Sequence, residues 1–151
     1  MEIERDWSRA QGVRPSVSAV IWDGEGRVLL QQRSDGGHWG LPGGSVEIGE
    51  SVAEAVLREV REETGLSVRV GRLIGVYSDP AWQIVRYPDG RVWHYVNVCF
   101  ECAVVEGRLT TCAESLALAY FDPQRLPGET LSLHRARISD ALARQPEAFI
   151  R

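Results

Sequence analysis

Three glutamates, Glu59, Glu62 and Glu63, stand close together in the middle of the chain. On an α-helix these positions are i, i+3 and i+4, so the three carboxylates share one arc about 100° wide. Like charges at this spacing repel, and carboxylates in a last helical turn oppose the helix dipole, at about a few tenths of a kcal/mol each. A divalent cation that prefers oxygen ligands would offset both costs, and magnesium is the natural choice. The spacing therefore indicates a metal site.

The helix that would carry these acids has signals at both ends. Ser51 followed by Glu54 makes a capping box, and Gly65 supplies a left-handed stop. We therefore predict a helix over residues 52–64. An apolar stripe borders the acidic arc and should face the core. The stripe consists of Val52, Ala53, Val56, Leu57 and Val60.

A wider pattern favours the metal site over the alternative, an acidic helix in water partly neutralised by Arg58 and Arg61. From Gly44 to Leu66 the chain reads Gly, five residues, Glu, seven residues, Arg-Glu-apolar-any-Glu-Glu-any-Gly-apolar. This segment resembles the Nudix box of the Nudix hydrolases and matches all nine of its defined positions. The matching residues are Gly44, Glu50, Arg58, Glu59, Val60, Glu62, Glu63, Gly65 and Leu66.

The resemblance implies the Nudix fold, an α/β/α sandwich with a mixed β-sheet between helices, and hydrolysis of a phosphoanhydride. It implies that Glu59 and Glu63 bind Mg²⁺, with Mn²⁺ as a substitute, and that Glu62 is a ligand or a near neighbour. A backbone carbonyl at Gly43 or Gly44 is expected to join them. Three clustered glutamates suit this chemistry because metal ions clamped by carboxylates stabilise charge on phosphate oxygens.

The catalytic residues that we expect beside the metal ligands are Glu50, Arg58, Glu62 and Glu101. By resemblance, Glu50 and Arg58 orient the loop against the helix; the alternative is an ordinary surface salt bridge, worth at most about 1 kcal/mol. The general base is left open between Glu62 and Glu101, and Glu101 could instead face water on its strand. Glu47 and Glu114 are weaker candidates.

Substrate recognition is expected in the segment 77–95, where aromatic rings alternate with cations that suit a base and a phosphate. The expected contacts are Tyr77, Trp82, Arg86 and Trp93, together with Arg33 at the end of the second strand. Alternation along a hairpin would place about half of the aromatic rings in the core, so packing is the alternative for each. Trp39 is expected to pack rather than to bind substrate.

Periodicity and turn residues predict the remaining elements. The predicted strands are 16–22 and 28–33, joined as a hairpin, followed by 46–48, 66–77, 84–87, 92–105 and 116–121. A closing helix is predicted over 131–144. One helix in mid-chain and one at the end favour a mixed sheet covered on both faces. Residues 1–14 are expected to form a leader, with Trp7 against the body.

Composition narrows the possible partners and location. With 151 residues, 44% of them apolar, we expect one domain over residues 1–151. The net charge of −4 and the lack of a basic run argue against nucleic acid or membrane partners. We expect a small nucleotide substrate, a cytoplasmic location because the first residues are too charged for a signal peptide, and a homodimer as an open alternative. Cys99 and Cys102, three apart on a strand, should be core thiols rather than a zinc or redox pair.

The sequence thus favours a metal-dependent hydrolase that cleaves the diphosphate bond of a nucleoside diphosphate linked to another moiety. Nucleotide sugars, ADP-ribose, dinucleoside polyphosphates and nucleoside triphosphates all remain open as substrates. One alternative is a non-hydrolytic nucleotide sensor on the same fold, although this chain keeps every glutamate of the box. Another is an RNA 5′-end pyrophosphohydrolase, against which the acidic net charge counts.

Overall fold

A computed structural model describes residues 1–151. The strands are β1 (Glu2–Ile3), β2 (Val13–Ile21), β3 (Val28–Arg33), β4 (Trp39–Gly40), β5 (Gly43–Ser45), β6 (Leu66–Tyr77), β7 (Ile84–Arg86), β8 (Val92–Gly107), β9 (Ser115–Phe121) and β10 (Phe149–Ile150). The helices are α1 (Val52–Thr64), α2 (Pro80–Gln83) and α3 (Ser132–Ala143), with a short 3-10 helix at Trp7–Arg9. None of the helices combines the length and the apolar character that crossing a membrane requires.

The larger of two sheets is built around the long strand β8. Strand β2 runs parallel along one edge of β8, while β7 and β6 pair antiparallel with successive parts of the other edge. Strand β5 adds antiparallel to β2, β1 adds to β7, and β10 adds parallel to β6. The sheet is therefore mixed, as predicted.

Helices α1 and α3 cover opposite faces of this sheet because the side chains of β2 alternate between two cores. Ala19 packs with Val56 and Val60 of α1, whereas its neighbour Val20 packs with Ile138 of α3. The predicted α/β/α sandwich is confirmed. Cys99 and Cys102 divide in the same way: Cys99 lies in the α3 core and Cys102 in the α1 core.

The hairpin predicted for residues 16–22 and 28–33, which correspond to β2 and β3, is wrong. A turn does join them, closed by a hydrogen bond from the Asp23 N–H to the Arg27 carbonyl, but one isolated bridge, Trp22 to Val28, is the sole pairing. Strand β2 already uses one edge for β8 and the other for β5, so β3 finds its partners elsewhere. It forms the centre of a separate three-stranded sheet between β4 and β9.

Two further expectations are corrected, the position of the strand predicted over residues 46–48 and the packing of Trp7. The strand predicted over residues 46–48 lies earlier, as β5, because Glu47 begins a turn in which its N–H donates to the Glu50 side chain at 3.0 Å. Trp7 does not pack against the body; it is 71% exposed on the short 3-10 helix. The residues around it contribute β1 and the start of β2 to the large sheet.

Candidate functional site

The acidic helix α1 ends as its sequence predicts. Ser51 and Glu54 form the reciprocal capping box, and Gly65 adopts a left-handed conformation with φ of 75°. This fixed register turns Glu59 and Glu63 toward strand β5. The helix therefore delivers its carboxylates to a defined strip of backbone.

Two glycines of β5 allow the helix to come this close. A Cβ atom at Gly43 would collide with the Val17 carbonyl on the neighbouring strand. A Cβ atom at Gly44 would overlap the carboxylate of Glu59. The absence of side chains at these positions therefore brings backbone and carboxylates into contact.

Arg58 ties the loop before α1 to the acidic face of the helix. Its guanidinium donates two hydrogen bonds to Glu50, from Nε at 2.6 Å and from Nη2 at 2.9 Å. It also donates to Glu59 at 2.9 Å, to Glu62 at 3.2 Å and to the Ser45 carbonyl at 3.0 Å. Arg58 lowers the pKa of Glu50 to about 2, so Glu50 is charged at neutral pH. The bidentate geometry fits the orienting role expected for this pair.

The three box glutamates differ in exposure. Glu63 is 3% exposed, and its carboxylate accepts a hydrogen bond from the Gly43 N–H at 2.8 Å. Burial raises the pKa of Glu63 to about 7, against the lowering influence of Gln31, the Gly43 N–H and Arg33. Burial also raises the pKa of Glu59, against the lowering influence of Arg58. Glu62 has its side chain 59% exposed at the mouth of the site.

This arrangement suits a cation electrostatically, although the side chains do not yet converge. No three acidic, histidine or cysteine side chains meet at one point; Glu59 contacts Arg58, and Glu63 contacts the Gly43 N–H. Charge repulsion adds to the cost of ionisation, since Glu59 contributes to the raised pKa of Glu63, and Glu62 and Glu114 contribute to the raised pKa of Glu59. Buried carboxylates in this state need positive charge, and their oxygens are the donors that magnesium prefers.

A cleft of about 500 Å³ opens beside these carboxylates. Its lining includes Gly43, Gly44 and the box glutamates, together with Glu47 and Glu114. Part of the lining is polar: Ser18 donates to the Asn97 side-chain oxygen at 2.8 Å, and the Asn97 amide donates to Ser16 at 2.9 Å. The first part of α3 also lines the cleft. The cleft can therefore hold a molecule much larger than a diphosphate.

Two of the expected substrate contacts line this cleft. Arg33 lies 3.9 Å from Glu63 and is held by a bidentate pair with Asp35. Trp93 forms part of the wall, with the Arg14 guanidinium 3.7 Å above its ring. Both positions remain consistent with contacts to a substrate.

The other three expected contacts lie outside the cleft. Tyr77 is 2% exposed in the core, and its hydroxyl donates to Asp140 at 2.9 Å. Arg86 is paired with Glu4 of the N-terminal segment. Trp82 lines a separate depression near the C-terminus. The three side chains lie on different elements, β6, α2 and β7, and none lines the cleft, so their expected substrate contacts are not supported.

The expectation that Glu101 joins the metal site or acts as base does not fit its position. Glu101 lies four residues beyond Asn97 on β8, which corresponds to about 13 Å along the strand. Its carboxylate accepts hydrogen bonds from Trp22 at 3.0 Å and Arg72 at 3.3 Å, and Arg144 lies at 3.9 Å. Glu101 is thus partly exposed and outside the cleft, where it neutralises cations near the end of α3.

Several residues that line the cleft were not among the substrate contacts expected from the sequence. They are Arg14, Gln83, Tyr87, Tyr95, Asn97, His134 and Arg137. Tyr87 and Tyr95 belonged to the aromatic segment, and their hydroxyls meet at 2.7 Å. Arg137 did leave a signal, because it falls among Leu133, Ile138 and Ala141 on the buried stripe of α3. A cation in an apolar stripe is unusual enough to mark a functional position.

Comparisons with known proteins agree with this geometry. A family model described as NUDIX domain matches residues 12–142. A MutT-like protein of Streptomyces ambofaciens is 35% identical over 127 residues, which cover 84% of this chain and 75% of that protein. An ADP-ribose pyrophosphatase of Methanocaldococcus jannaschii is 40% identical over 116 residues, covering 72% of this chain and 64% of the relative, just under two thirds of its length. The crystal structure of an ADP-ribose pyrophosphatase from Streptococcus suis superposes with a TM-score of 0.68 at 25% identity, covering 91% of this chain and 97% of that one.

Proposed function

Because the chain belongs to the NUDIX family of hydrolases, we propose that it uses a divalent metal ion to hydrolyse the diphosphate bond of a nucleoside diphosphate that is linked to another moiety. The observation that carries this proposal is the pair of buried Glu63 and partly buried Glu59 beside the backbone of Gly43 and Gly44. Both carboxylates have a raised pKa because of burial, and both face the cleft. Stability alone gives no reason to keep such a pair.

The metal-binding group in this proposal consists of Glu59 and Glu63, with Glu62 as a ligand or near neighbour and the Gly44 carbonyl beside them. Bound Mg²⁺, or Mn²⁺ in its place, would supply positive charge to the phosphate oxygens and lower the pKa of a bound water. Arg58 already contacts Glu59, so its guanidinium keeps that carboxylate in place before any ion arrives. Glu50 in turn fixes Arg58.

The remaining roles follow from position in the cleft. Glu62 is the proposed general base because it is the exposed box carboxylate, able to take a proton from water beside the buried pair. Arg33, close to Glu63, is placed to contact a phosphate oxygen of the substrate. Trp93 with Arg14 above it, and the Tyr87–Tyr95 pair, provide aromatic surface for a base.

ADP-ribose is the first substrate that we propose within this class. Two of the similar proteins described above bear the name ADP-ribose pyrophosphatase, and one of them covers 91% of this chain in three dimensions. The volume of the cleft, about 500 Å³, also exceeds what a diphosphate alone would fill. A nucleotide sugar, a dinucleoside polyphosphate and a nucleoside triphosphate complete the test panel.

The test is product identification after incubation of each substrate with the purified protein and MgCl₂. We expect a nucleoside monophosphate and a phosphorylated remainder from at least one linked nucleoside diphosphate, and no turnover in EDTA. Glu63→Gln should reduce turnover by about 100-fold or more, whereas Glu101→Gln should change it less than threefold. Absence of any product from the whole panel, with measurable nucleotide binding, would instead identify a non-hydrolytic sensor. Release of pyrophosphate from 5′-triphosphorylated RNA alone would identify an RNA-end hydrolase.

A further inference from the structure

We propose that Arg137 and Gln83 form a subsite for a second acidic group of the substrate, a carboxylate or a phosphate ester on the moiety joined to the scissile diphosphate. This inference rests on the proposed function for the nature of that diphosphate. The subsite lies at the α3 end of the cleft, where both side chains form part of the wall. It would distinguish acidic from neutral members of the same substrate class.

Arg137 is a buried cation without an anion. Its side chain is 3% exposed, and its one hydrogen bond to protein runs from Nη2 to the neutral Gln83 side-chain oxygen at 2.8 Å. The buried Nε–H has no acceptor, and no carboxylate lies within ion-pair distance of the guanidinium. Burial lowers the pKa of Arg137 to about 10, which still leaves it charged at neutral pH. Charged groups are rarely left in this state without a functional reason.

The one acidic residue of α3 is already engaged elsewhere. Asp140, one turn further along α3, accepts hydrogen bonds from the Tyr77 hydroxyl at 2.9 Å and from Arg151 at 2.8 and 3.0 Å. The Tyr77 ring lies 5.3 Å from the Arg137 guanidinium and offers a cation–π contact. Such a contact leaves the N–H donors of Arg137 unused, so the protein itself does not neutralise this charge.

The histidine that precedes Arg137 in the cleft wall is neutral and does not offset the charge of Arg137. His134, one turn earlier on α3, accepts a hydrogen bond from the Leu41 N–H through Nδ1 at 3.3 Å. Burial lowers the pKa of His134, and the positive charges of Arg137 and Arg33 lower it further, so its imidazole is neutral. Arg33 is already paired with Asp35 and lies 3.9 Å from Glu63, whereas Arg137 has no acidic partner.

An oxyanion satisfies this subsite better than a neutral base edge does. A carboxylate or phosphate can accept from an N–H on the cleft-lining side of the Arg137 guanidinium and compensate its charge at the same time. Because Gln83 uses its oxygen toward Arg137, its amide NH₂ is left as a second donor for the same oxyanion. A carbonyl of a nucleobase would accept one hydrogen bond and leave the buried charge uncompensated.

The test uses pairs of probes that differ in one acidic group, with binding measured by calorimetry in EDTA so that no hydrolysis occurs. One pair is UDP-glucose and UDP-glucuronate, which differ by a carboxylate. The other is ADP-ribose and its 2′-phosphate, which differ by a phosphate ester. We expect the wild-type protein to bind the acidic member of one pair at least tenfold more tightly, and the pair that responds identifies the source of the anion. A preference below twofold in both pairs overturns the proposal.

Two variants test whether Arg137 and Gln83 cause the preference for the acidic probe. Arg137→Gln should bring both members of the responding pair within twofold of each other by weakening the binding of the acidic member. Gln83→Leu should reduce the preference at least threefold, and it decides the question if Arg137→Gln does not fold. Arg125→Gln, an exposed arginine outside the cleft, is the matched control and should behave as wild type. The subsite is contradicted if the full preference remains in both Arg137→Gln and Gln83→Leu. If Arg137→Gln does not fold, a full preference in Gln83→Leu alone contradicts it.

The two proposals fail separately. If no substrate is hydrolysed in MgCl₂ but the acidic preference in EDTA depends on Arg137, the subsite stands and the proposed catalysis is wrong. If hydrolysis occurs but neither probe pair is discriminated, the catalysis stands and the subsite is wrong.

Discussion

Replacing Glu63 by glutamine should make the metal-free protein more stable at pH 8. Glu63 is 3% exposed, and burial raises its pKa from an ordinary value of 4.5 to about 7. Glutamine has nearly the same shape, and its side-chain oxygen can still accept the hydrogen bond from the Gly43 N–H. The variant therefore removes the buried charge while it keeps the packing.

The size of the effect follows from that difference in pKa. Between pH 4.5 and about 7 the folded protein holds the Glu63 proton and the unfolded chain has lost it, so stability falls as pH rises through this interval. Above about pH 7 the wild-type protein bears the full cost of ionised Glu63, about 3 kcal/mol. Below pH 4.5 the side chain is neutral in both states, so the advantage of glutamine should disappear.

The assay is urea denaturation in EDTA at pH 4 and pH 8, with the free energy of unfolding compared between variant and wild type. Glu62→Gln is the matched control, because this side chain is 59% exposed and keeps its hydration. The control should show a change of less than about 1 kcal/mol between the two pH values. Lower stability of Glu63→Gln than wild type at pH 8, or a gain that is the same at both pH values, would refute the reasoning.

Three further substitutions test the parts of the site. Arg58→Ala removes the contacts that hold Glu50 and Glu59, so steady-state kinetics with a substrate from the panel should show kcat/KM reduced by about 10–100-fold. Gly44→Ala forces a methyl group against the Glu59 carboxylate, so turnover should fall by a similar factor, about 10–100-fold, while circular dichroism still reports a folded protein; full activity would contradict the close approach. Glu101→Gln should keep kcat/KM within about threefold of wild type but lower Tm, because nearby cations lose a charged partner. A decrease in kcat/KM of about 100-fold in Glu101→Gln would show that Glu101 does act in the active site.

The sequence predicted the elements whose signals are local. Helix α1 begins and ends where the Ser51 cap and Gly65 place it, and β6 and β3 have their predicted bounds. The spacing of Glu59, Glu62 and Glu63 on that helix was enough to place them on one arc. Local capping and periodicity determine these features, so no long-range information was needed.

Features that depend on distant partners could not be predicted in this way. Strand β3 leaves the expected hairpin because both edges of β2 are occupied by strands remote in sequence. Glu101 lies outside the site beside Arg72 and Arg144, and the strand pattern alone cannot reveal these partners. The role of Arg137 in the cleft wall depends on how α3 docks on the sheet, so the apolar stripe marked the residue as unusual without indicating its neighbours.

The central claim is that Glu59 and Glu63 hold a divalent cation in the cleft, and a Mg²⁺ titration of wild type and Glu63→Gln by calorimetry at pH 8 tests it most directly. The account predicts a saturable binding event in the wild-type protein that is weakened at least about 100-fold in Glu63→Gln, while Glu101→Gln binds Mg²⁺ as wild type does. Equal Mg²⁺ affinity in wild type and Glu63→Gln would contradict it.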